Sequence, residues 1–446
     1  MKGSFLHMTI QRFRSAALAG LAVLLLSVPV EAAGINPHTS YIANNWESSV
    51  NTPVVKPLWS LAVDNPVIND YRNDPVLAVI GGSKVFTLQK GQLFAVNSTT
   101  GTTSWKAGAQ LVGPLFYDQD RVYASSTSGA IYAFNASSGK RVWTSSVKLK
   151  NIQQLQLSGN QLYAYAEGNL HAFGVKDGIR KWTDDYEYTV NGNLLFAGDV
   201  ILAEGEESGA YTYSVLHAFD RKTGKRLWHQ MNYGLPIAVQ GNTVVIQKTA
   251  TLLEMQPLTT LDTLDLKTGK VLKTVKYNPE NIDLTKEDVL SSGGRAWISN
   301  DRIYINSGDK VYGYDLTADP AKVTRDSFFA QGSVNKAQFA AGPADDRLIF
   351  SDGGSGLYGV KLADKSTINY SGLTNPIARF DLIGHGMYVA QTDGKLVAIH
   401  LVTAKPVLQL QTGARVFGQT LSVNGMIIVQ AQGKLIAFKE PAMLKK

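Results

Sequence analysis

The chain has 446 residues, of which 44% are hydrophobic and none is cysteine, and its formal net charge is +7. A chain of this length exceeds one ordinary compact core, so we expect several domains or one repeat architecture. The lack of cysteine excludes a disulfide framework, and the small positive charge does not by itself indicate a nucleic-acid-binding protein.

The N-terminus has the pattern of a secretory signal peptide. Three basic residues precede the apolar run AALAGLAVLLLSVPV, and the small residues Val30 and Ala32 flank Glu31. We therefore expect residues 1–32 to be cleaved. A retained membrane anchor is the alternative, although about 15 apolar residues are short for a span that needs roughly 20.

The predicted mature chain has no stable membrane anchor. Without residues 1–32, 40 basic and 35 acidic residues remain, a net charge of +5. No cysteine is present to carry a lipid. We expect a secreted or extracellular monomer, periplasmic in a cell with an outer membrane, that does not bind nucleic acid. Residues 33–54 are polar and contain Pro37 and Pro53, which indicates an extended leader.

A repeat organises the rest of the chain. Nine copies, each marked by one small or nearly small residue, follow each other at spacings of 38 to 50 residues, a period typical of propeller blades or solenoid repeats. The marker residues are Ala95, Ala133, Ala172, Ala218, Thr263, Gly313, Gly359, Ala398 and Ala437. Short alternating apolar runs precede the markers, for example RVYASS at 121–126, and indicate strands.

The repeat predicts an all-β propeller of four-stranded blades over residues 55–440, followed by a basic tail at 441–446. The 41 glycines are spread over turn positions, which disfavours helical repeats. Nine units are counted, and one of them could be degenerate, so we expect eight or nine blades.

A polar turn follows the third strand of most units. In LHAFDRKTGKRLW (216–228), Asp220 can accept backbone N–H groups and Gly224 can adopt a positive φ. The same chemistry recurs at Asn97 and Gly101, at Asn135 and Gly139, and at Asp265 and Gly269. The turn therefore predicts a hairpin between the third and fourth strands.

Five tryptophans recur with the repeat. Four of them stand four residues after the turn glycine, and one lies in an orphan strand, KPLWSLAV, before the first unit. They are Trp59, Trp105, Trp143, Trp182 and Trp228. Regular recurrence predicts rings packed between neighbouring blades, where each would bury roughly 150–250 Å². An exposed stacking platform for sugars or bases is the alternative.

The two ends of the chain predict closure of the ring. The last unit lacks its fourth strand, because GKLIAFKEPAMLKK ends soon after the third. The orphan strand that contains Trp59 should complete this blade and hide the sheet edges.

The pattern Ala-Phe-Asp-x-x-Thr-Gly-Lys-x-x-Trp at 218–228 resembles the repeat of the pyrroloquinoline-quinone-like, or quinoprotein-like, propellers. The resemblance covers about residues 55–440. It implies the fold but not one function. The family includes quinoprotein alcohol and glucose dehydrogenases, and also non-enzymatic relatives such as the outer-membrane assembly lipoprotein BamB and secreted proteins similar to YxaL.

The residues that the enzymes of this family need are missing from the sequence, which argues against an enzyme. Quinoprotein alcohol dehydrogenases carry an adjacent-cysteine disulfide, a calcium ion and a catalytic aspartate, whereas this chain has no cysteine and no stretch that matches those motifs. We therefore expect no catalytic residue and no bound quinone or calcium. A degenerate quinone-dependent dehydrogenase stays open as an alternative, as does an envelope assembly scaffold like BamB.

Two possible metal sites are weak. His171 and His217 occupy equivalent positions in consecutive units, but the same position holds Phe94 and Tyr132 elsewhere, so it favours amphipathic rings over metal ligands. Asp283, Glu287 and Asp288 lack the glycine-punctuated spacing of a calcium loop and indicate a solvated loop.

Three arginines predict a positive sector on the outer rim. Arg141, Arg180 and Arg226 each stand two residues before a tryptophan in consecutive units. A solubilising face is one interpretation, and a site for an anionic envelope polymer is the other.

Long connections predict a partner-binding sector on one face. The extra residues fall in segments 203–213, 249–260 and 277–294, which are connections of the two kinds that emerge on the same side of a four-stranded meander. The candidate contacts are Tyr211, Tyr213, Leu253 and Met255. Simple insertion tolerance explains the same lengths. The sequence thus predicts a secreted, non-catalytic binding protein or scaffold for protein or envelope partners.

Overall fold

The structure is a computed structural model of the chain. It describes residues 51–65, 76–184, 189–190, 192–209, 212–251, 255–286, 293–333 and 335–446. Residues 52–446 form one compact unit, which contains all the described strands. The predicted signal peptide and residues 33–50 of the leader lie outside the described residues.

The described chain is almost entirely β-strand. The first strands are β1 (Trp59–Ala62), β2 (Ala78–Gly81), β3 (Lys84–Gln89), β4 (Gln92–Asn97), β5 (Thr103–Ala107), β6 (Leu111–Asp118), β7 (Arg121–Ser126), β8 (Ile131–Asn135), β9 (Arg141–Thr144), β10 (Ile152–Ser158), β11 (Gln161–Ala166), β12 (Asn169–Gly174) and β13 (Arg180–Thr183). The middle strands are β14 (Thr189–Val190), β15 (Leu195–Ala197), β16 (Val200–Ser208), β17 (Thr212–Asp220), β18 (Arg226–Met231), β19 (Ala238–Gln240), β20 (Thr243–Gln247), β21 (Thr259–Asp265) and β22 (Val271–Tyr277). The last strands are β23 (Arg295–Ser299), β24 (Arg302–Ser307), β25 (Lys310–Asp315), β26 (Asp326–Phe328), β27 (Gln338–Ala344), β28 (Arg347–Ser351), β29 (Leu357–Lys361), β30 (Thr367–Asn369), β31 (Ile377–Ile383), β32 (Gly386–Gln391), β33 (Lys395–His400), β34 (Pro406–Gln411), β35 (Leu421–Val423), β36 (Met426–Ala431) and β37 (Lys434–Lys439).

These strands form a nine-bladed propeller, which confirms the predicted fold class. Each blade is an antiparallel sheet of strands that we letter A to D. Blades 1 to 8 follow the chain in order, from β2–β5 (blade 1) to β31–β34 (blade 8). Blade 4 differs from the four-stranded expectation, because both β14 and β15 pair with β16. Nine blades exceed the four to eight of most propellers.

The predicted closure is also confirmed. In blade 9, β35, β36 and β37 provide strands A to C, and β1 pairs antiparallel with β37 as strand D. Trp59 lies opposite Ala437, and the Val63 N–H donates to the Gly433 carbonyl at 3.0 Å. The first strand of the described chain therefore completes the last blade.

The core lies between the blades. The described residues contain nine buried apolar clusters, and each cluster joins one pair of neighbouring blades, including blades 9 and 1. Tyr123 and Ile131 of blade 2, for example, pack with Leu155 and Leu162 of blade 3. The ring therefore has a layered core, one layer per interface.

Small marker residues are required where a blade carries a large ring. In strand register, Ala133 lies opposite Trp143, and Ala218 lies opposite Trp228, so each pair shares one face of its sheet. Both alanines are completely buried. A larger residue there would collide with the indole, which explains the sequence marker.

Helix is confined in the described residues to the 3₁₀ segment Ala442–Leu444. Within these residues, no helix has the length and apolar character that crossing a membrane requires.

Candidate partner-binding surfaces

The first long segment is an extended hairpin. β16 and β17 have nine residues each and stay paired out to Ser208 and Thr212. The Tyr213 hydroxyl donates to Glu207 Oε2 at 3.3 Å across this hairpin. In blade 3 the equivalent hairpin ends at the pair Ala166 and Asn169. The additional paired residues extend the blade 4 hairpin by roughly 10 Å.

The second segment connects β20 to β21. Met255 lies in it and exposes 42% of its surface. Tyr211 and Leu253, the other two candidate contacts, lie outside the described residues. Two of the four candidates, Tyr213 and Met255, are therefore placed on the predicted long connections.

The third segment begins at the end of β22, and polar side chains hold its described first part, up to Lys286. Asn278 Nδ2 donates to the Ile282 carbonyl at 2.9 Å, and the Ile282 N–H donates to Asn278 Oδ1 at 2.7 Å. Asp283 Oδ1 accepts the Thr285 hydroxyl at 2.7 Å, and this bond holds the pKa of Asp283 below its usual value. Asp283 therefore acts as a turn acceptor, while Glu287 and Asp288 lie outside the described residues.

The structure brings the three segments together at their bases. The Asn232 N–H donates to the Ser214 carbonyl at 2.8 Å, and the Thr249 N–H donates to the Asn232 carbonyl at 2.7 Å. The Gly293 N–H donates to the Gln256 carbonyl at 2.5 Å. Backbone hydrogen bonds thus connect the extended hairpin, the second segment and the end of the third. We call this surface of blades 4 to 6 the long-loop sector.

A buried polar network supports the long-loop sector from below. Asp262 is 4% exposed, and its carboxylate accepts hydrogen bonds at 2.5 Å from the Tyr233 hydroxyl and from the Thr274 hydroxyl. Glu204 accepts the Leu235 N–H, and burial raises the pKa of Glu204. These contacts join blades 4 and 5, so the loops stand on a rigid base. Sequence reasoning missed this network because its members have no local motif.

The two histidines are buried ring positions. His171 Nδ1 lies 2.9 Å from the Thr183 hydroxyl, and the His217 ring stacks on Phe219 at 6.1 Å and on His229 at 6.2 Å. Burial lowers the pKa of His171 and lowers the pKa of His217 to about 4. Both side chains are therefore neutral at pH 7. The described residues include no group of three or more histidine, cysteine or acidic side chains that could hold a metal ion.

The three arginines occupy equivalent positions on the outer strands β9, β13 and β18. In strand register they lie opposite Phe134, Phe173 and Phe219. Arg141 and Arg180 are exposed, and Arg226 is half-buried. They therefore lie on the rim of three consecutive blades, and the binding of an anionic envelope polymer there stays a prediction.

Each of the five tryptophans contacts the next blade. In the next blade, the first position of the turn between strands C and D holds an acid, an amide or a glycine. Every indole N–H donates to the backbone carbonyl of the residue that follows this position. The donor and acceptor pairs are Trp59 and Ser98 (3.0 Å), Trp105 and Ala136 (3.1 Å), Trp143 and Val175 (2.7 Å), Trp182 and Arg221 (3.2 Å), and Trp228 and Leu266 (3.0 Å).

One equivalent contact was missed from the sequence. At the interface of blades 7 and 8, the Tyr370 hydroxyl donates to the Leu401 carbonyl at 3.0 Å. Leu401 follows His400, which replaces the turn acid. The sequence repeat does not indicate this contact, because the tryptophan position, opposite Gly359, holds Ile368. Tyr370 lies two residues further along the chain.

Comparison with known families agrees with this architecture. The family model for the outer membrane protein assembly factor BamB matches residues 46–158 and 89–317, which together exceed half of the chain. The chain belongs to the BamB family. The quinoprotein-like propeller that the repeat predicted is thereby confirmed.

Individual BamB proteins are distant relatives. The outer membrane protein assembly factor BamB of Shewanella oneidensis is 24% identical over 316 residues, which are 70% of this chain and 67% of that protein. The crystal structure of BamB from Moraxella catarrhalis has 14% identity and a TM-score of 0.46, over 86% of this chain and 100% of that one. Quinohemoprotein alcohol dehydrogenase from Comamonas testosteroni has 13% identity and a TM-score of 0.45, over 88% of this chain and 77% of that one. At TM-scores below 0.5, neither structural likeness bears on function.

Proposed function

We propose that this protein is a non-catalytic periplasmic scaffold that binds protein partners during outer membrane protein assembly. Membership of the BamB family supports the process, because the family is described as an outer membrane protein assembly factor. The observation that carries the binding role is the joining of three long segments into one sector by backbone hydrogen bonds.

The chemistry of the long-loop sector suits a protein surface. Met255 is 42% exposed, and Met231 on the neighbouring strand β18 is 48% exposed. Flexible methionine side chains adapt to different apolar surfaces. The extended hairpin adds backbone and hydroxyl groups that can pair with a partner. A rigid base under such groups lowers the entropy cost of binding.

The first test is site-specific photocrosslinking in living cells. We expect a photoreactive amino acid at Thr212 or Met255 to form covalent adducts with an envelope protein. The matched controls are Lys222 and Lys267, which lie in the C-to-D turns of the same two blades, on the opposite face. Equal crosslinking at all four positions would contradict the proposal.

Blade 3 provides the template for a second test. Replacing residues 206–214 with Glu-Gly copies the two-residue turn Glu167–Gly168, in which both residues have positive φ, at 54° and 83°. We expect the trimmed chain to fold, to lose the crosslinks at Met255, and to fail to restore outer membrane protein levels in a strain that lacks the native protein. Full restoration by the trimmed chain would overturn the assignment of the sector.

The absence of a cofactor is part of the proposal. We expect calorimetric titration with pyrroloquinoline quinone and calcium to give no heat, and a dye-linked dehydrogenase assay to give no turnover. Stoichiometric quinone binding with turnover would instead establish an enzyme.

A further inference from the structure

The outer edge of blade 8 is covered by the chain's own N-terminal segment. The Val55 N–H donates to the Gln409 carbonyl at 2.9 Å, and the Gln409 N–H donates to the Pro53 carbonyl at 2.8 Å. Gln409 Nε2 also donates to the Thr52 carbonyl at 3.1 Å. Residues 52–55 therefore add a short parallel strand to β34, which shows that the edge of a blade in this propeller accepts an extended segment.

Blade 5 has the same edge without a described cover. β22 has seven residues and is the longest strand at the outer edge of any described blade. Its first four residues are all exposed, with Leu272 at 54% and Val271 at 42%. Within the described residues, no backbone hydrogen bond reaches β22 from outside its own sheet.

The register shows which backbone groups face outward. The Asp265 N–H donates to the Lys270 carbonyl, and the Thr260 carbonyl accepts the Lys248 N–H from the other side of β21. Since successive residues of a strand alternate, Thr274 and Lys276 direct their N–H and C=O groups away from β21. Thr274 occupies the position that Gln409 has in blade 8, one residue after the tryptophan position.

Charge selects the kind of segment that fits. Lys270, Lys273 and Lys276 lie on or beside β22. The nearest acids of the sheet are already engaged, Asp262 by Tyr233 and Thr274, and Asp265 by its own turn. Two copies of this lysine-rich edge would repel each other, which disfavours pairing between identical chains.

We propose that the outer edge of β22 binds an extended, acidic segment of a partner protein by β-strand addition. Backbone hydrogen bonds to Thr274 and Lys276 provide the ladder, Leu272 provides an apolar contact, and the lysines pair with carboxylates of the segment. β22 leads into the third segment of the long-loop sector, but the proposed contact uses the outward backbone groups of the strand and not the loops. Peptide binding at this edge can therefore be tested independently of the proposed function.

The test uses the full-length mature chain and a fluorescent synthetic peptide of alternating glutamate and valine. Lys276→Pro removes one outward N–H without breaking the ladder to β21, whereas Lys276→Ala removes only the charge. Lys106→Pro places the same change on the outer strand of blade 1, at an outward position next to Trp105. We expect K276P to weaken peptide binding roughly five- to tenfold relative to K276A, since one backbone hydrogen bond is lost, and K106P to have no effect.

Hydrogen exchange provides a second measurement that does not depend on variants. Peptide binding should slow exchange at the amides of Thr274 and Lys276 and leave the inward amides of Lys273 and Val275 unchanged. A peptide of alternating lysine and valine should not bind. The proposal is overturned if the acidic peptide does not bind the wild-type chain, if K106P weakens binding as much as K276P, or if the wild-type chain is a dimer that K276P dissociates.

Discussion

At the residue scale, the turn glycine and the tryptophan act on each other across a blade interface. Gly224 has a φ of 75°, and a Cβ added there would lie 2.4 Å from the Trp182 ring. The glycine is therefore required twice, once by the hairpin and once by the indole of the preceding blade. Sequence reasoning explained only the first requirement, because the two partners belong to different repeats.

Trp143 tests how the indole contributes to stability. It is 7% exposed, packs on Gly178 and donates to Val175. We expect Trp143→Phe to lower the free energy of unfolding by about 1 kcal/mol through the lost hydrogen bond, and Trp143→Ala by about 3 to 5 kcal/mol. Urea unfolding followed by circular dichroism measures both.

The neighbouring Val142 is the control for this series, because it is 43% exposed on the same strand. Val142→Ala should change the free energy of unfolding by less than about 0.5 kcal/mol. Equal effects at the two positions would mean that the ring has no special role at the interface.

His217 predicts a specific loss of stability in acid. Its pKa falls from 6.5 to about 4 in the folded chain because the ring is buried. The unfolded chain therefore binds a proton at His217 more readily than the folded chain does. The free energy of unfolding is unaffected by this group above the unfolded pKa, and it decreases as the pH falls from there towards 4. Between pH 7 and pH 5 this one group should cost about 2 kcal/mol.

His217→Phe tests this expectation, since Phe94 occupies the equivalent position in blade 1. The variant should lose less stability than the wild type when the pH is lowered from 7 to 5, as measured by urea unfolding at both values. An identical pH dependence would show that His217 does not titrate as stated.

At the scale of elements, the repeat predicted each blade but not its variations. In blade 4, both short strands β14 and β15 pair with β16, and the insertion lengthens β16 and β17 to nine residues each. Blade 7 replaces the tryptophan contact by Tyr370. Both variations depend on which residues pair across the strands. The sequence repeat does not show this pairing where a blade has added residues or where the contacting side chain lies two positions away from the usual one.

The closing strand β1 gives a test at this scale. Leu61 lies opposite Leu435, and alternation from Val63 places its N–H in the ladder to β37, whereas the Ser60 N–H points outward. We expect Leu61→Pro to destabilise the chain by about 3 kcal/mol or more and Ser60→Pro to be tolerated.

The melting temperatures of the two proline variants, measured by thermal unfolding, test this expectation. Because the loss of β1 exposes the unpaired edge of β37 in blade 9, L61P should also aggregate at a lower temperature than S60P. The same melting temperature for the two variants would show that β1 does not hold the ring closed.

At the scale of the whole molecule, stability is distributed around a ring. In the part of the chain that the structure describes, nine buried apolar clusters lie at the nine interfaces between blades, in place of one central core. Such an arrangement leaves the rim and the two faces free to vary, which is where the long-loop sector and the exposed edge of β22 occur.

The sequence by itself determined the class of fold, the number of repeats, the turn chemistry and the closing strand, because these follow from local periodicity and from the spacing of glycine, acid and tryptophan. Only the tertiary structure decided which loops meet, that Tyr370 completes an interface, and that residues 52–55 cover the edge of blade 8. The physical reason is the range of the interactions. Strand pairing within a blade follows the repeat, whereas these contacts join parts of the chain that lie outside it, 31 positions apart for Tyr370 and Leu401 and 357 positions apart for Thr52 and Gln409. Nothing in the local pattern marks the two partners as a pair.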